Sequence, residues 1–317
     1  MRSRSRSSRV KGGAASPRSP NPDHAGHASS AWPALGILLA GALWGFYWFP
    51  IRRLEALQLG GVWGSLIIAA TACVLLSPWA IAQRRRLARS SGLGIASVTL
   101  GGAAFMLYSV GLVHGQVAVV ILLFYLTPIW STLIERLWWR WPLTGRRIAV
   151  IIVGVAGLGL VLGANGSPLP HGIGDWLGLA SGLLWAIASS GMRSHNTLGP
   201  GEGSFLFAVG ALVAAALLAP FLSAWPGLPP AGNGWQVIAW ILAAAGLWWS
   251  ASLAILVWAA RYLSPARLGI LMMSEVLVGV FSAALLADEP LAPIQIVGAV
   301  LVIAAAVLEV LPARASG

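Results

Sequence analysis

The segment Ala266–Leu308 reads ARLGILMMSEVLVGVFSAALLADEPLAPIQIVGAVLVIAAAVL. Two apolar runs flank the triplet Asp288-Glu289-Pro290, and one carboxylate, Glu275, lies inside the first run. A helix rises 1.5 Å per residue, so about twenty apolar residues cross a hydrocarbon core. Each run is close to that length. Outward from this stretch the same pattern recurs from Trp32 on. Spans are expected near 32–51, 59–82, 92–113, 116–138, 146–164, 175–192, 204–222, 234–260, 264–287 and 291–311. The chain therefore reads as an all-α membrane protein of ten transmembrane helices. Its connections are too short to hold a soluble domain.

Composition agrees. Hydrophobic residues make up 58% of the 317 and charged residues 9%. A soluble domain carries about 25% charge, so a water-soluble enzyme, a disordered chain and a fibrous repeat are excluded. The single cysteine, Cys73, permits neither an internal disulfide nor a cysteine-based metal site.

The net charge of +11 raises the question of nucleic acid, and the positions of the charges answer it. Residues 1–30 hold Arg2, Arg4, Arg6, Arg9, Lys11 and Arg18 among Ser, Gly and Pro, with no apolar run. That composition is a disordered basic tail, expected on the cytoplasmic side against anionic headgroups, at about 1 kcal/mol per basic residue. With the N-terminus inside, Arg84, Arg85, Arg86, Arg89, Arg136, Arg140, Arg146, Arg147, Arg193, Arg261, Arg267 and Arg314 also fall inside. Only Arg52 and Arg53 fall outside. Such a bias orients a membrane protein, with both termini in the cytoplasm, and it accounts for the charge without nucleic acid.

The two halves resemble each other. Gly41-Ala42-Leu43-Trp44 with Arg52 is answered 141 residues later by Gly182-Leu183-Leu184-Trp185 with Arg193. The stretch from Ala118 through Pro128 to Pro142-Leu143 is answered 148 residues later by Ala266, Val276 and Pro290-Leu291. Five helices per repeat force the second copy to enter from the opposite side, so the repeats are inverted. Secondary transporters use this plan and bind substrate near the midplane between the halves. The expected organisation is a tail over 1–30, repeats over 31–164 and 171–311, and a cytoplasmic tail over 312–317.

The segment Val117–Gly163 contains VAVVILLFYLTPIWSTL and PLTGRRIAVIIVGVAGLGLVLG. Together with Ala266–Leu308 it resembles the EamA-type repeats of the drug/metabolite transporter superfamily. The resemblance implies two inverted five-helix repeats in a bacterial inner membrane. It also implies a central cavity lined by spans one, three, four, six, eight and nine, and export of amino acids or other small metabolites by alternating access. Two positions depart from the pattern. Trp141 stands where the first repeat usually has Glu, a slot that Glu289 keeps in the second. Val276 stands where Pro often follows the span-nine glutamate.

Glu275 is the leading candidate for function. It lies deep in its span, where a carboxylate costs several kcal/mol unless paired, hydrated or protonated. Proton coupling, capture of a substrate ammonium and a protonated structural role all fit that position. Pro128 removes the amide that would serve the carbonyl of Phe124; beside Tyr125, Thr127 and Ser131 such a freed carbonyl is tolerated facing protein or a water-filled cavity, and a simple packing kink is the alternative. Thr127 aligns with Glu275 across the repeat. Tyr108, Trp44, Tyr47, Trp185, Ser189, Trp249 and Ser252 complete the expected cavity set, against a reading of the deep tryptophans as helix packing. Glu135 is expected in an interfacial ion pair with Arg136 or Arg140. Trp32, Trp138, Trp139 and Trp141 are expected in the interfacial belt. The spacings Gly174, Gly178, Gly182 and Gly159, Gly163 read as packing faces.

No cofactor or metal is expected, and the chain reads as a non-enzyme. Gly172-Ile173-Gly174-Asp175 matches the GxGD of intramembrane aspartyl proteases. Such sites need a second intramembrane aspartate. Asp175 instead suits a helix N-cap. The expected partners are a small-molecule substrate, the bilayer and anionic headgroups at the basic loops; nothing in this plan requires an oligomer. An intramembrane lipid-handling protein, a flippase or transferase, is the alternative and would need a polar cluster at one interface.

Overall fold

The computed structural model describes residues 31–138, 145–164, 166, 169–195, 198–227, 231–259, 262–263, 265–287, 289 and 291–310. The two tails, Trp139, Arg140, Trp141, Arg261 and Arg314 lie outside the described residues, as do the side chains of Glu135, Trp138, Arg193 and Arg267. The expected ion pair of Glu135 falls there too. Among the described residues every regular element is a helix.

Seven segments are long and apolar enough to cross a membrane: Ala31–Ala56, Gly61–Ala82, Gly92–His114, Val117–Ile134, Gly145–Gly163, Pro200–Leu222 and Gly234–Leu256. Ile270–Leu286 and Pro293–Leu308 are shorter apolar helices. Several of these segments are broken. In chain order the helices are α1 Ala31–Gly45, α2 Trp48–Ala56, α3 Gly61–Ala82, α4 Arg84–Arg89, α5 Gly92–His114, α6 Val117–Phe124, α7 Thr127–Trp138 and α8 Gly145–Gly163. They continue with α9 Ile173–His195, α10 Pro200–Leu222, α11 Gly234–Ala243, a π-helical stretch Ala244–Ala251, α12 Ser252–Ala259, α13 Pro265–Met272, α14 Ser274–Leu286 and α15 Pro293–Val310.

The outer surface is apolar. Phe221, Leu137, Leu285 and Val74 are all exposed, and Trp32, Trp176, Trp225 and Trp235 stand exposed close to helix ends. Lipid is the solvent that tolerates such a surface, and helix ends are where tryptophan meets headgroups. With lipid tails as apolar as leucine, hydrophobicity does not choose which helix faces pack; small residues do. A Cβ on Gly102 of α5 would collide with the carbonyl of Phe207 on α10, and one on Gly210 would collide with that of Thr99. Gly157 of α8 and Gly298 of α15 approach each other in the same way.

The expected packing face at Gly174, Gly178 and Gly182 is present. Gly174 lies against Gly115, and Gly178 and Gly182 lie against the backbone of Val120 and Phe124. The face at Gly159 and Gly163 is a correction, since neither has a neighbour within 4 Å. Gly154 and Gly157, half a turn away, make the contact instead. Gly102→Val should therefore cost about 1–3 kcal/mol by overpacking. A lower thermal midpoint in detergent checks this, against Gly159→Val as the tolerated control.

Candidate functional site

The site is built from helix breaks. Pro128 lacks an amide hydrogen, and α6 stops at Phe124. The Thr127 hydroxyl takes the freed Phe124 carbonyl at 2.7 Å and also reaches the Gly182 carbonyl of α9 at 3.2 Å. One repeat offset later, at Met273, a second break separates α13 from α14. There Val276 stands in the proline's place, and the break forms without proline. The Tyr125 hydroxyl reaches the Met272 carbonyl at 3.3 Å, and the Ser274 hydroxyl donates to the Leu38 carbonyl at 3.1 Å. Side chains thus serve backbone groups at the break.

Glu275 thereby sits in the first turn of α14 rather than in mid-helix. The positive end of the helix dipole favours a carboxylate there. Its side chain is 3% exposed. Tyr125 donates to Oε2 at 2.8 Å, and Tyr108 of α5 makes a longer contact to Oε1 at 3.4 Å.

Beside Glu275 lies a cavity of about 300 Å³. Its walls are Trp44 of α1, Phe105 of α5, Phe124, Tyr125, Thr127 and Pro128 at the first break, Trp185 of α9 and Phe207 of α10. Leu253, Leu256, Leu268, Met272 and Met273 complete it. The rings form a continuous belt: Trp44 meets Phe105 at 4.3 Å between centroids, Phe105 meets Phe207 at 5.9 Å, Phe207 meets Trp185 at 6.1 Å, and Trp185 meets Phe124 at 6.3 Å.

Behind the belt the Trp249 indole donates to the Tyr47 hydroxyl at 2.7 Å, and the Trp248 indole donates to the Leu43 carbonyl at 2.6 Å. Both tryptophans stand on the π-helical stretch, where the Ser250 hydroxyl takes the carbonyl of Ala245, five residues back, at 2.8 Å. π-bulges of this kind gather at functional sites.

From Glu275 towards Arg52 the molecule is sealed in layers. Gly45 packs on the backbone of Glu275 and Gly279. The Trp48 indole donates to the Ser282 hydroxyl at 2.9 Å. At the end, Arg52 pairs with Glu289 at 2.6 Å and donates to the Gly115 carbonyl at 3.2 Å. Glu289 also accepts the Val117 amide at 2.8 Å, at the start of α6. One carboxylate thus ties three chain segments together. At the opposite end Arg86 of α4 approaches buried Glu202 at 3.7 Å.

The expected site residues divide into three groups. Trp44, Tyr125, Thr127, Trp185 and Glu275 line the cavity, and Tyr108 reaches its carboxylate. Tyr47 and Trp249 form the layer behind the wall. Ser189 and Ser252 do not line the cavity: their hydroxyls turn back to the carbonyls of Ala186 and Trp248 on their own helices, a bond serine makes readily inside helices. Phe105, Phe124, Phe207 and the Arg52–Glu289 pair were not singled out from the sequence. Phenylalanine in an apolar helix carries no polar signal, and the two halves of the pair are far apart in the chain. Phe207 also adds the seventh expected span to the set implied for the lining. Asp175 is a correction: it stands in the first turn of α9 rather than at its N-cap, and accepts the amide of His171, four residues upstream, at 3.0 Å.

A comparison with solved structures finds one titled "Crystal structure of protein" that is 19% identical, with a TM-score of 0.53. The match covers 88% of this chain and 98% of that one, and it supports the fold alone. No curated protein matches the sequence. The model of the EamA-like transporter family matches twice, over residues 31–163 and 172–311. Those two matches take in both stretches that break beside Glu275, and the chain belongs to the EamA-like transporter family.

Proposed function

We propose that the protein is a secondary carrier of the bacterial inner membrane that exports small metabolites, amino acids or amines, by alternating access. Glu275 is its coupling group. The observation that carries this reading is a buried carboxylate at a helix break, beside a cavity of about 300 Å³. A carboxylate that must be neutralised by either a proton or a substrate gives each ligand a hold on the other. That is the thermodynamic requirement for coupling.

The reading includes ten spans in two inverted repeats. Equivalent breaks at Tyr125 and Met273, 148 residues apart, support it. It puts both termini in the cytoplasm. The convergence of Arg52, Gly115, Val117 and Glu289 at one end supports that topology, since all four fall on the outside in the charge-based orientation. Leu256, Leu268 and Pro128 carry the cavity towards the basic, cytoplasmic ends, while the Arg52 end is sealed. A carrier in this state takes its load from the cytoplasm. A lipid-handling role finds less support, because the polar groups converge deep in the bundle and not at an interface.

The test is counterflow in liposomes containing the purified protein, with a panel of labelled amino acids and amines and an imposed pH gradient. At least one compound should accumulate only in protein-containing liposomes, without ATP, and a protonophore should abolish the gradient-driven part. No movement of any compound overturns the carrier reading. Movement indifferent to the protonophore overturns the coupling role.

A further inference from the structure

We infer that the cavity recognises a protonated amine with a single aromatic or branched apolar body. The inference rests on the carrier reading of the same cavity and names its substrate class. The first argument is a count of hydrogen-bonding groups. Glu275 presents two carboxylate oxygens, and the break at Met273 adds the Met272 carbonyl, all on one side of the cavity. Against these acceptors stand two hydroxyl protons, from Tyr108 and Tyr125. Tyr125 lies within reach of both Glu275 and Met272 but has one proton to give. The Thr127 hydroxyl is already committed to Phe124 and Gly182. The indole N–H groups of Trp44 and Trp185 also line the cavity, but at the Glu275 end the acceptors outnumber the two hydroxyl donors that reach them, and the carboxyl group among them becomes an anion when it ionises. The group that completes such a locus is a cationic N–H donor.

Charge excludes the other classes. None of the described residues lining the cavity is basic. An anion would be placed beside Glu275 with nothing to neutralise it. A zwitterionic amino acid would satisfy Glu275 through its ammonium and leave its own carboxylate unpaired in a desolvated site, which is costly. A neutral alcohol would leave Glu275 without a counter-charge.

The walls select the rest of the molecule. Trp44, Phe105, Phe124, Trp185 and Phe207 surround the space with ring edges and faces, and Met272 and Met273 add thioether sulfurs. Rings of this kind attract a cation held over their faces and pack well around a flat apolar group. At the ~30 Å³ that one water occupies in the liquid, the cavity of about 300 Å³ has room for roughly ten waters. That suits one ring with a short arm and is too small for a two-chain lipid.

The test uses purified protein in nanodiscs, read by the fluorescence of the cavity tryptophans. The probes are phenethylamine, its alcohol counterpart 2-phenylethanol, and phenylalanine, which adds a carboxylate to the same body. The amine should bind about 30-fold or more tighter than either analogue, the loss expected when a buried charge lacks its partner. Glu275→Gln should remove that preference. Tyr125→Phe, which frees acceptors without altering the charge, should keep it, so the selectivity stays testable if Glu275→Gln does not fold. Equal binding of the alcohol, tighter binding of phenylalanine, or a preference surviving in Glu275→Gln overturns the inference. If phenylalanine rather than the amine moves in counterflow, the cation class falls and the carrier reading stands; if nothing moves, the carrier reading itself falls.

Discussion

Cells producing the Glu275→Gln protein should lose gradient-driven efflux at every external pH, by about 30-fold or more relative to the native chain. Glutamine keeps the length and shape of the side chain, and its amide oxygen still accepts from Tyr125 or Tyr108. The packing against Gly41 and Gly45 is therefore retained, and a fall in efflux reports on charge rather than on folding. What glutamine cannot do is alternate between an anion and a neutral acid. At this depth an anion is tolerated only with a counter-charge or a hydrated cavity. In the proposed cycle that counter-charge is the substrate on the outward leg and a proton on the return. The neutral variant removes both holds at once. Efflux of a labelled substrate, followed across external pH with membrane insertion confirmed by fluorescence of a C-terminal tag, makes the measurement. Full efflux across the pH range would end the coupling role of Glu275.

Glu289→Gln should open the Arg52 end. Glu289 accepts from Arg52 at 2.6 Å and from the Val117 amide at 2.8 Å, and its side chain is 15% exposed. This is no isolated surface pair, because the same carboxylate caps α6 and closes the gap between α2 and the stretch before α15. A hydrogen bond to a charged group is worth about 1.5–3 kcal/mol. Its loss would raise the population open at this end by roughly 10- to 150-fold. Val278, one turn from Glu275 towards this seal, packs beside Gly45. In a Cys73→Ala background, Val278→Cys should react slowly with a membrane-impermeant maleimide added from outside, and at least about 10-fold faster once Glu289→Gln is added. Arg52→Gln should act in the same direction. Unchanged labelling in both variants would mean that the pair does not hold the end closed.

How much of this was readable beforehand depends on how local the physics is. Glu275 was legible because a carboxylate among apolar residues is conspicuous at any depth, and its cost depends on membrane position more than on neighbours. The break at Tyr125–Leu126 was legible because proline acts on its own helix. The break at Met273 was not, since it depends on Tyr125 and Ser274 meeting backbone groups of other helices. Ser189 and Ser252 were misjudged as cavity residues because sequence position does not reveal whether a hydroxyl faces a neighbour or its own helix. Phe105 and Phe207 went unnoticed for a related reason: in a helix that is apolar all round, periodicity does not mark the inner face.

The repeat offsets carry a similar lesson. They align Arg52 with Arg193 and Glu289 with Trp141, so an asymmetry between the two ends was already written in the chain. Its meaning appeared only when Arg52 and Glu289 were found in contact.

By itself the sequence determined that the chain lives in lipid, and it made one carboxylate deep in an apolar run conspicuous. Those properties follow from the free energy of moving individual residues between water and hydrocarbon, which each residue carries with it. The tertiary structure alone decided which rings enclose the cavity, which hydroxyls hold Glu275 and which pair closes one end. These are contacts between residues distant in the chain, and in an apolar solvent they are selected by the close approach of small residues, an effect no single helix records.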